Sequence, residues 1–161
     1  MKVNFKLDRD SLRRIERDFA KKSDVLVRKM SEAGGRIITE ETKRMVDAGI
    51  SPVKGKGRFK KYSESYSKQI KRGKVQGKST RPVNLKVTGK MMKSLEYKKI
   101  TNGVRILFTD EKALYHNKLG AGKSKVKRRI MPIDEGEEYS RVITSRLTNA
   151  FRKLMSIFSR R

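Results

Sequence analysis

The chain lacks cysteine and tryptophan, and it has only three prolines and one histidine, His116. The absence of cysteine excludes disulfides and thiolate chemistry, and it is typical of proteins that assemble in a reducing cytoplasm. No apolar run approaches the roughly 18 residues of a membrane-spanning helix. Residues 1–5 lack the apolar block of a signal peptide. We therefore expect a soluble protein that is not secreted.

Acidic residues are also scarce, since 17 Asp and Glu face 43 Lys and Arg and leave a net charge of +26. A monomer with this charge repels itself, which predicts polyanions or acidic proteins as neighbours. Residues 54–90 contain thirteen bases and one acid, and residues 118–129 contain six bases and no acid. Residues 9–48, by contrast, contain eleven bases and eight acids. The excess charge therefore lies in two segments.

A length of 161 residues, 35% of them hydrophobic and 37% charged, predicts a single domain, residues 1–161, with a small core. We expect a strand, a helical region, a long basic loop, a hairpin/sheet unit and a C-terminal helix, at residues 2–7, 8–48, 49–84, 85–133 and 134–159. The long loop has no sustained period. A connection of that length is usually functional or disordered, and we expect it to dock onto neighbouring copies.

The helical region has apolar residues at helical spacing, and it either runs unbroken to about Ala48 or breaks near Ser23-Asp24. The Gly34-Gly35 pair weakens its middle and could let another backbone approach closely.

The strongest hairpin pattern is residues 95–109, where two β-prone runs flank Asn102-Gly103, a pair that favours a type I′ turn. Thr88 is a suitable N-cap for the short helical turn before it. A third strand is expected at residues 128–133, and the acids of residues 134–138 are expected to begin the last helix, whose apolar stripe suits the core. The predicted fold is α+β: a long N-terminal helix, a small antiparallel sheet built around the 95–109 hairpin, a C-terminal helix packed on that sheet, and long basic loops.

Catalytic apparatus is sparse. His116 has no second histidine or cysteine with which to hold a metal, so we interpret it as a structural or interface residue. The adjacent acids Glu40-Glu41 and Glu137-Glu138 diverge on a helix and make no acid/base pair. Gly122-Lys123-Ser124 matches only the end of a phosphate-binding loop. We expect no enzyme activity, no cofactor and no metal site.

The two basic segments have two interpretations: solvated loops, or surfaces that face phosphates and give salt-dependent binding. Sequence-specific reading of bases is not expected, because too few aromatic residues accompany the charge. The candidates for contacts with a subunit, an acidic partner or DNA are Lys54, Lys56, Arg58, Lys60, Lys61, Tyr62, Tyr66, Lys123, Lys125, Lys127, Arg128 and Arg129.

Several short motifs follow one another in a recognisable order over roughly residues 50–158. They read Gly57-Arg58-Phe59-Lys60-Lys61-Tyr62-Ser63-Glu64-Ser65-Tyr66, Pro82-Val83-Asn84-Leu85, Thr88-Gly89-x-Met91-x-x-Ser94-Leu95, Tyr115-His116-Asn117-Lys118-Leu119-Gly120 and Arg129-Ile130-Met131-Pro132. This order resembles tailed-bacteriophage neck proteins, also called tail-completion, head–tail joining, minor tail or virion morphogenesis proteins. His116 stands where the family has a small residue and residues 123–129 are unusually basic, which leaves the subfamily open.

The resemblance implies a non-enzymatic structural subunit of the virion. Such proteins form homo-oligomeric rings, often sixfold, between the head connector and the tail, with double-stranded DNA passing through the centre. The partners would be other neck, connector and tail proteins, assembly would occur in the host cytoplasm, and no membrane would be involved. The main alternative is a stand-alone, sequence-independent nucleic-acid-binding protein, nucleoid-like or ribosome-associated. A small basic toxin or nuclease-like protein is a third, weaker interpretation.

Overall fold

The computed structural model describes residues 9–85, 89–101, 103–120 and 125–160. Its elements are α1 (Arg9–Asp47), α2 (Glu64–Lys71), α3 (Lys90–Lys93), β1 (Leu95–Ile100), β2 (Gly103–Phe108), α4 (Lys112–Leu114) continued by a π-helical turn (Tyr115–Leu119), and α5 (Arg141–Ser159). This composition confirms the predicted α+β fold. The strand expected at residues 2–7 lies outside the described residues.

Helix α1 is continuous, so the break considered near Ser23-Asp24 does not occur. Its 39 residues give a length of about 58 Å at 1.5 Å per residue. The N-terminal half is exposed, and Ile15 and Phe19 expose 59% and 75% of their surface. The C-terminal half enters the core, where Met45 and Val46 are buried.

The hairpin and α5 both pack against the middle of α1. A Cβ atom at Gly35 would lie 2.5 Å from the Tyr97 ring of β1, and one at Gly34 would lie 3.4 Å from the Phe151 ring of α5. The two glycines therefore admit aromatic rings rather than a second backbone. The buried carboxylate of Glu41 forms ion pairs with Arg44 of α1 and Arg146 of α5. The C-terminal helix was expected on the sheet, but α5 packs mainly on α1 instead.

The hairpin confirms the expected strands, with Leu95 opposite Phe108 and Ile100 opposite Gly103. Gly103 thus belongs to β2, and the connecting residues are Thr101 and Asn102. Asn102 lies outside the described residues, so the predicted turn type stays a prediction.

Ser94 joins the helical turn α3 to the end of the hairpin. Its hydroxyl donates to the Met91 carbonyl oxygen at 2.8 Å and accepts from the Asp110 N–H at 3.1 Å. The residue that precedes α3 is Gly89. Thr88, the predicted N-cap, lies outside the described residues.

The third strand predicted at residues 128–133 is wrong, because the described residues form a two-stranded sheet only. The buried side chain of Asn117 takes the place of a strand partner. Its Oδ1 accepts from the Ile130 N–H at 2.7 Å and the Met131 N–H at 3.2 Å. Together with a bond from the Arg128 N–H to the His116 carbonyl oxygen at 2.7 Å, these bonds pair three backbone N–H groups of the segment without a β-strand partner.

The acids of residues 134–138 do not begin the last helix, since α5 starts at Arg141. The backbone before α5 pairs instead with the segment that follows α1. The Lys54 N–H donates to the Glu138 carbonyl oxygen at 2.8 Å, and the Ser140 N–H donates to the Pro52 carbonyl oxygen at 2.7 Å. These long-range bonds hold the acidic residues in a turn that cannot also be helical.

Residues 49–84, expected to be a loop, contain α2 and pack on the chain's own core. Phe59, Ile70 and Val83 of this segment are buried. The core cluster is Val46, Phe59, Val83, Leu85, Met91, Met92, Leu95, Ala113 and Ile130. The segment thereby places its basic residues at fixed positions around the core.

Candidate functional site

The two basic segments of the sequence meet at the side chain of Arg128. Its guanidinium Nε and Nη2 donate to the Lys60 carbonyl oxygen at 3.4 and 3.3 Å, across 68 residues of sequence. The guanidinium carbon also lies 4.9 Å from the centroid of the Tyr62 ring. Arg128 exposes only 5% of its surface. A predicted surface residue is therefore a buried connection between two segments that the sequence left separate.

Tyr62 and Tyr66 form the aromatic part of this site. Their rings meet edge to face, with centroids 5.2 Å apart. The Tyr62 hydroxyl donates to the Asn84 carbonyl oxygen, and the Ser63 hydroxyl caps α2 by accepting from the Tyr66 N–H at 3.4 Å. These bonds fix both rings at the start of α2.

Lys78 completes the site, although nothing in the sequence distinguishes it from the other lysines of this segment. Its Nζ lies 4.9 Å from the Tyr62 ring centroid and 5.1 Å from that of Tyr66. Both contacts are within the range of cation–π attraction. We call Tyr62, Tyr66, Lys78, His116 and Arg128 the cation–aromatic cluster.

Burial governs the electrostatics of this cluster. Desolvation raises the pKa of Tyr62 to about 12, and the charge of Arg128 only partly offsets it. Desolvation likewise lowers the pKa of Arg128, while Tyr62 and Tyr66 act in the opposite direction. Among the described residues, no carboxylate contributes to either effect. The positive charge here is stabilised by aromatic rings and a carbonyl oxygen.

His116 lies against the same group. Burial, and after it the nearby charges of Arg128 and Lys78, together lower its pKa to about 4. Its Nδ1 is shielded from solvent and has no hydrogen-bond partner among the described residues. The ring is thus neutral at neutral pH, in a setting that resists protonation.

Three of the predicted site residues form ion pairs elsewhere, with the acids that precede α5. Lys54 pairs with Glu138, Lys56 lies 3.6 Å from a Glu137 oxygen, and Arg129 pairs with Asp134 and lies 3.6 Å from Glu137. We call these six residues the acidic corner.

Local hydrogen bonds and charges lower the pKa values of two carboxylates of the acidic corner, Glu137 and Glu138. Burial is the largest single influence on Glu137 and raises its pKa, but N–H bonds from Ile133 and Asp134 and the charge of Arg129 together outweigh it, so the net shift is downward. A hydrogen bond from Lys54 lowers the pKa of Glu138. These three cations are therefore neutralised inside the chain, and we remove them from the candidate surface.

The other predicted cations keep exposed side chains. Arg58, Lys60, Lys61, Lys125 and Lys127 are exposed, and Lys123 lies outside the described residues. Within the described part of the chain, none of the five forms an ion pair with an acid. These five residues belong to the two basic segments that Arg128 connects, so their charges are available to bind a polyanion.

The end of the π-helical turn requires a glycine. Gly120 has a φ of +87°, and a Cβ atom there would overlap the Lys125 carbonyl oxygen. Gly120 therefore lies against Lys125, three residues before Arg128.

The described residues contain no group of three or more acids and histidines placed to hold a metal ion, and no helix among them is long and apolar enough to cross a membrane. No family model, curated protein or solved structure matches the chain. The resemblance to neck proteins therefore rests on the order of its short motifs.

Proposed function

We propose that the chain is a non-enzymatic structural subunit of the tailed-phage virion, in the neck or tail-completion ring that joins the head connector to the tail around the DNA channel. The observation that carries the proposal is the contact of both basic segments at Arg128, together with five exposed cations of those segments that have no acidic partner among the described residues. A concentrated field of this kind attracts phosphates without reading bases. The motif order supports the choice of a neck protein.

In this proposal the subunit forms a homo-oligomeric ring in the virion, with a hexamer as the expected form, and is assembled in the host cytoplasm with other neck, connector and tail proteins. The exposed apolar side chains on the N-terminal half of α1 support the need for such neighbours. Ile15 and Phe19 lie four residues apart, on one face of that helix, and are largely exposed. Exposed apolar groups of this size are commonly covered in assemblies.

The same basic surface also suits a stand-alone, sequence-independent nucleic-acid-binding protein, and one experiment separates the two functions. Purified virions are analysed for the protein by mass spectrometry, and the isolated protein is analysed for rings by electron microscopy and native mass spectrometry. A neck subunit is present at a fixed number of copies per particle. Its absence from particles, together with tight binding of naked duplex DNA, would establish the alternative.

A matched pair of variants tests the surface itself. Replacing Lys60, Lys61, Lys125 and Lys127 with glutamine removes four exposed cations from the proposed surface. The control replaces Lys21, Lys22, Arg152 and Lys153 with glutamine, which removes four exposed cations from α1 and α5. We expect the first variant to fold but to lower DNA-filled particle yield, and the control to give normal yield. Equal yields from both would contradict the assignment of the surface.

A further inference from the structure

The cation–aromatic cluster carries positive charge that nothing in the described chain neutralises. Arg128 is buried, and Lys78 lies over two aromatic rings. No described carboxylate forms an ion pair with either residue, whereas Arg129, the next residue along the chain, has two acidic partners. Taking a cation out of water is costly unless an opposite charge accompanies it. A counter-anion from outside the chain would remove this cost.

One side of the cluster is accessible to such an anion. Lys78, Tyr66 and His116 are only partly buried, so the edge that they form reaches solvent. The exposed Lys60, Lys61 and Lys127 are close sequence neighbours of Tyr62 and Arg128. Lys78 Nζ and the guanidinium carbon of Arg128 each lie 4.9 Å from the centroid of the Tyr62 ring, so both cations belong to one site centred on that ring.

We propose that Lys78 and Arg128, with Tyr66 and His116 at the rim, bind one phosphate group. A phosphate offers several acceptor oxygens, which suits an ammonium and a guanidinium acting together. The surrounding lysines form an extended positive field, which suits the phosphates of a nucleic-acid backbone better than a single carboxylate. The identity of the phosphate's source rests on the proposed function, but the site itself does not.

The single histidine makes the test direct, because His116 gives the only imidazole resonances of the chain. The isolated protein is titrated with sodium phosphate at constant ionic strength, with sodium acetate in a parallel series. We expect saturable shifts of the His116 resonances with phosphate and an upward shift of the pKa of His116 from about 4, because the anion offsets the charges of Lys78 and Arg128. Equal shifts with acetate would overturn the proposal and point to an acidic protein partner.

Two variants locate the site. Lys78→Gln should weaken phosphate binding at least about tenfold, the loss expected for one charge-assisted contact. Lys71→Gln removes an exposed cation from α2 in the same segment and should leave the affinity unchanged. Arg128→Lys keeps the charge but loses the guanidinium fork, and its circular dichroism is recorded to confirm folding. Equal affinities in the Lys78 and Lys71 variants would overturn the proposal.

A short duplex DNA added to the phosphate complex identifies the source. Displacement of phosphate, with the same His116 shifts, assigns the site to the nucleic-acid backbone. Phosphate binding that DNA does not affect assigns it to free phosphate and retains the site. Neither result depends on finding the protein in virions, so a failed phosphate titration and a failed virion assignment are distinguishable.

Discussion

The acidic corner and the cation–aromatic cluster place neighbouring residues, Arg129 and Arg128, in opposite electrostatic settings. Arg129 pairs with Asp134 and lies 3.6 Å from Glu137. Arg128 is buried against the Tyr62 ring and the Lys60 carbonyl oxygen, with no acid among the described residues. Arg129 therefore has its negative counter-charges within the described chain, whereas Arg128 has none there. Binding of an anion by a basic protein therefore depends on the charge that has no internal partner, which the net charge of +26 does not reveal.

The largest expected effect is an acid-dependent loss of stability that originates in the cluster. The pKa of His116 is about 4 in the folded chain and ordinarily 6.5, so the unfolded state binds more protons between these values. The contribution of His116 to the free energy of unfolding should therefore be fully present above pH 6.5 and be lost as the pH falls towards 4. We expect a loss of roughly 2 to 3 kcal/mol over this window, measured by urea unfolding.

His116→Gln should remove this loss of stability between pH 6.5 and 4. Lys78→Gln should reduce the loss, because one of the two charges that lower the pKa of His116 is gone.

Glu137, in the acidic corner, loses its contribution to the free energy of unfolding at a lower pH. Because the pKa of Glu137 is lowered from 4.5, its contribution is present above pH 4.5 and is lost as the pH falls through the folded value. Glu137→Gln should affect only this lower window. If His116→Gln kept the loss of stability between pH 6.5 and 4, His116 would not be the source of that loss.

The second expected effect compares the two arginines directly. Arg129→Met should lower the free energy of unfolding by roughly 2 kcal/mol, because Asp134 and the shielded Glu137 lose their cation. Arg128→Met should cost less than about 1 kcal/mol, since it leaves no acid unpaired and removes a buried charge. Both are measured by urea unfolding at pH 7. A larger loss in Arg128→Met would show that its ring and carbonyl contacts outweigh its desolvation.

The sequence predicts the parts of this fold whose determinants are local. The periodicity of α1 and the β-prone runs around Asn102-Gly103 specify a long helix and a hairpin, and both occur. The strand predicted at residues 128–133 is absent because the side chain of Asn117, 13 residues before Ile130, accepts the hydrogen bonds from the N–H groups of Ile130 and Met131. The start of α5 fails for a similar reason, since residues 52–54 bind the acidic turn.

The candidate site was predictable only in part. Tyr62, Tyr66 and Arg128 stood out as aromatic or basic residues within charged segments. Lys78 did not, because its contact with the two rings depends on how the residues that follow α2, up to residue 84, return to the start of that helix. Nor could the sequence separate Arg128 from Arg129, because burial and pairing are decided by contacts across the fold.

A smaller effect is expected from the aromatic part of the cluster. Tyr66→Leu should lower the free energy of unfolding by roughly 1 kcal/mol, because the edge-to-face contact with Tyr62 and the cation–π contact with Lys78 are lost. Tyr115→Leu is the matched control, since Tyr115 exposes 51% of its surface. Thermal unfolding of the two variants measures the difference. Equal melting temperatures would mean that Tyr66 contributes no more than an exposed ring.

The smallest expected effect separates paired from unpaired charge on the surface. Lys54→Gln and Lys61→Gln remove one exposed cation each, and neither should change stability measurably. Their DNA binding should differ, because Lys54 is paired with Glu138 and Lys61 has no acidic partner among the described residues. We expect Lys61→Gln to reduce the slope of log affinity against log salt by about 1, and Lys54→Gln to leave it nearly unchanged. Equal slopes in the two variants would mean that Lys54 contacts DNA as readily as Lys61 despite its ion pair with Glu138. The proposed difference between the acidic corner and the exposed basic surface would then be wrong.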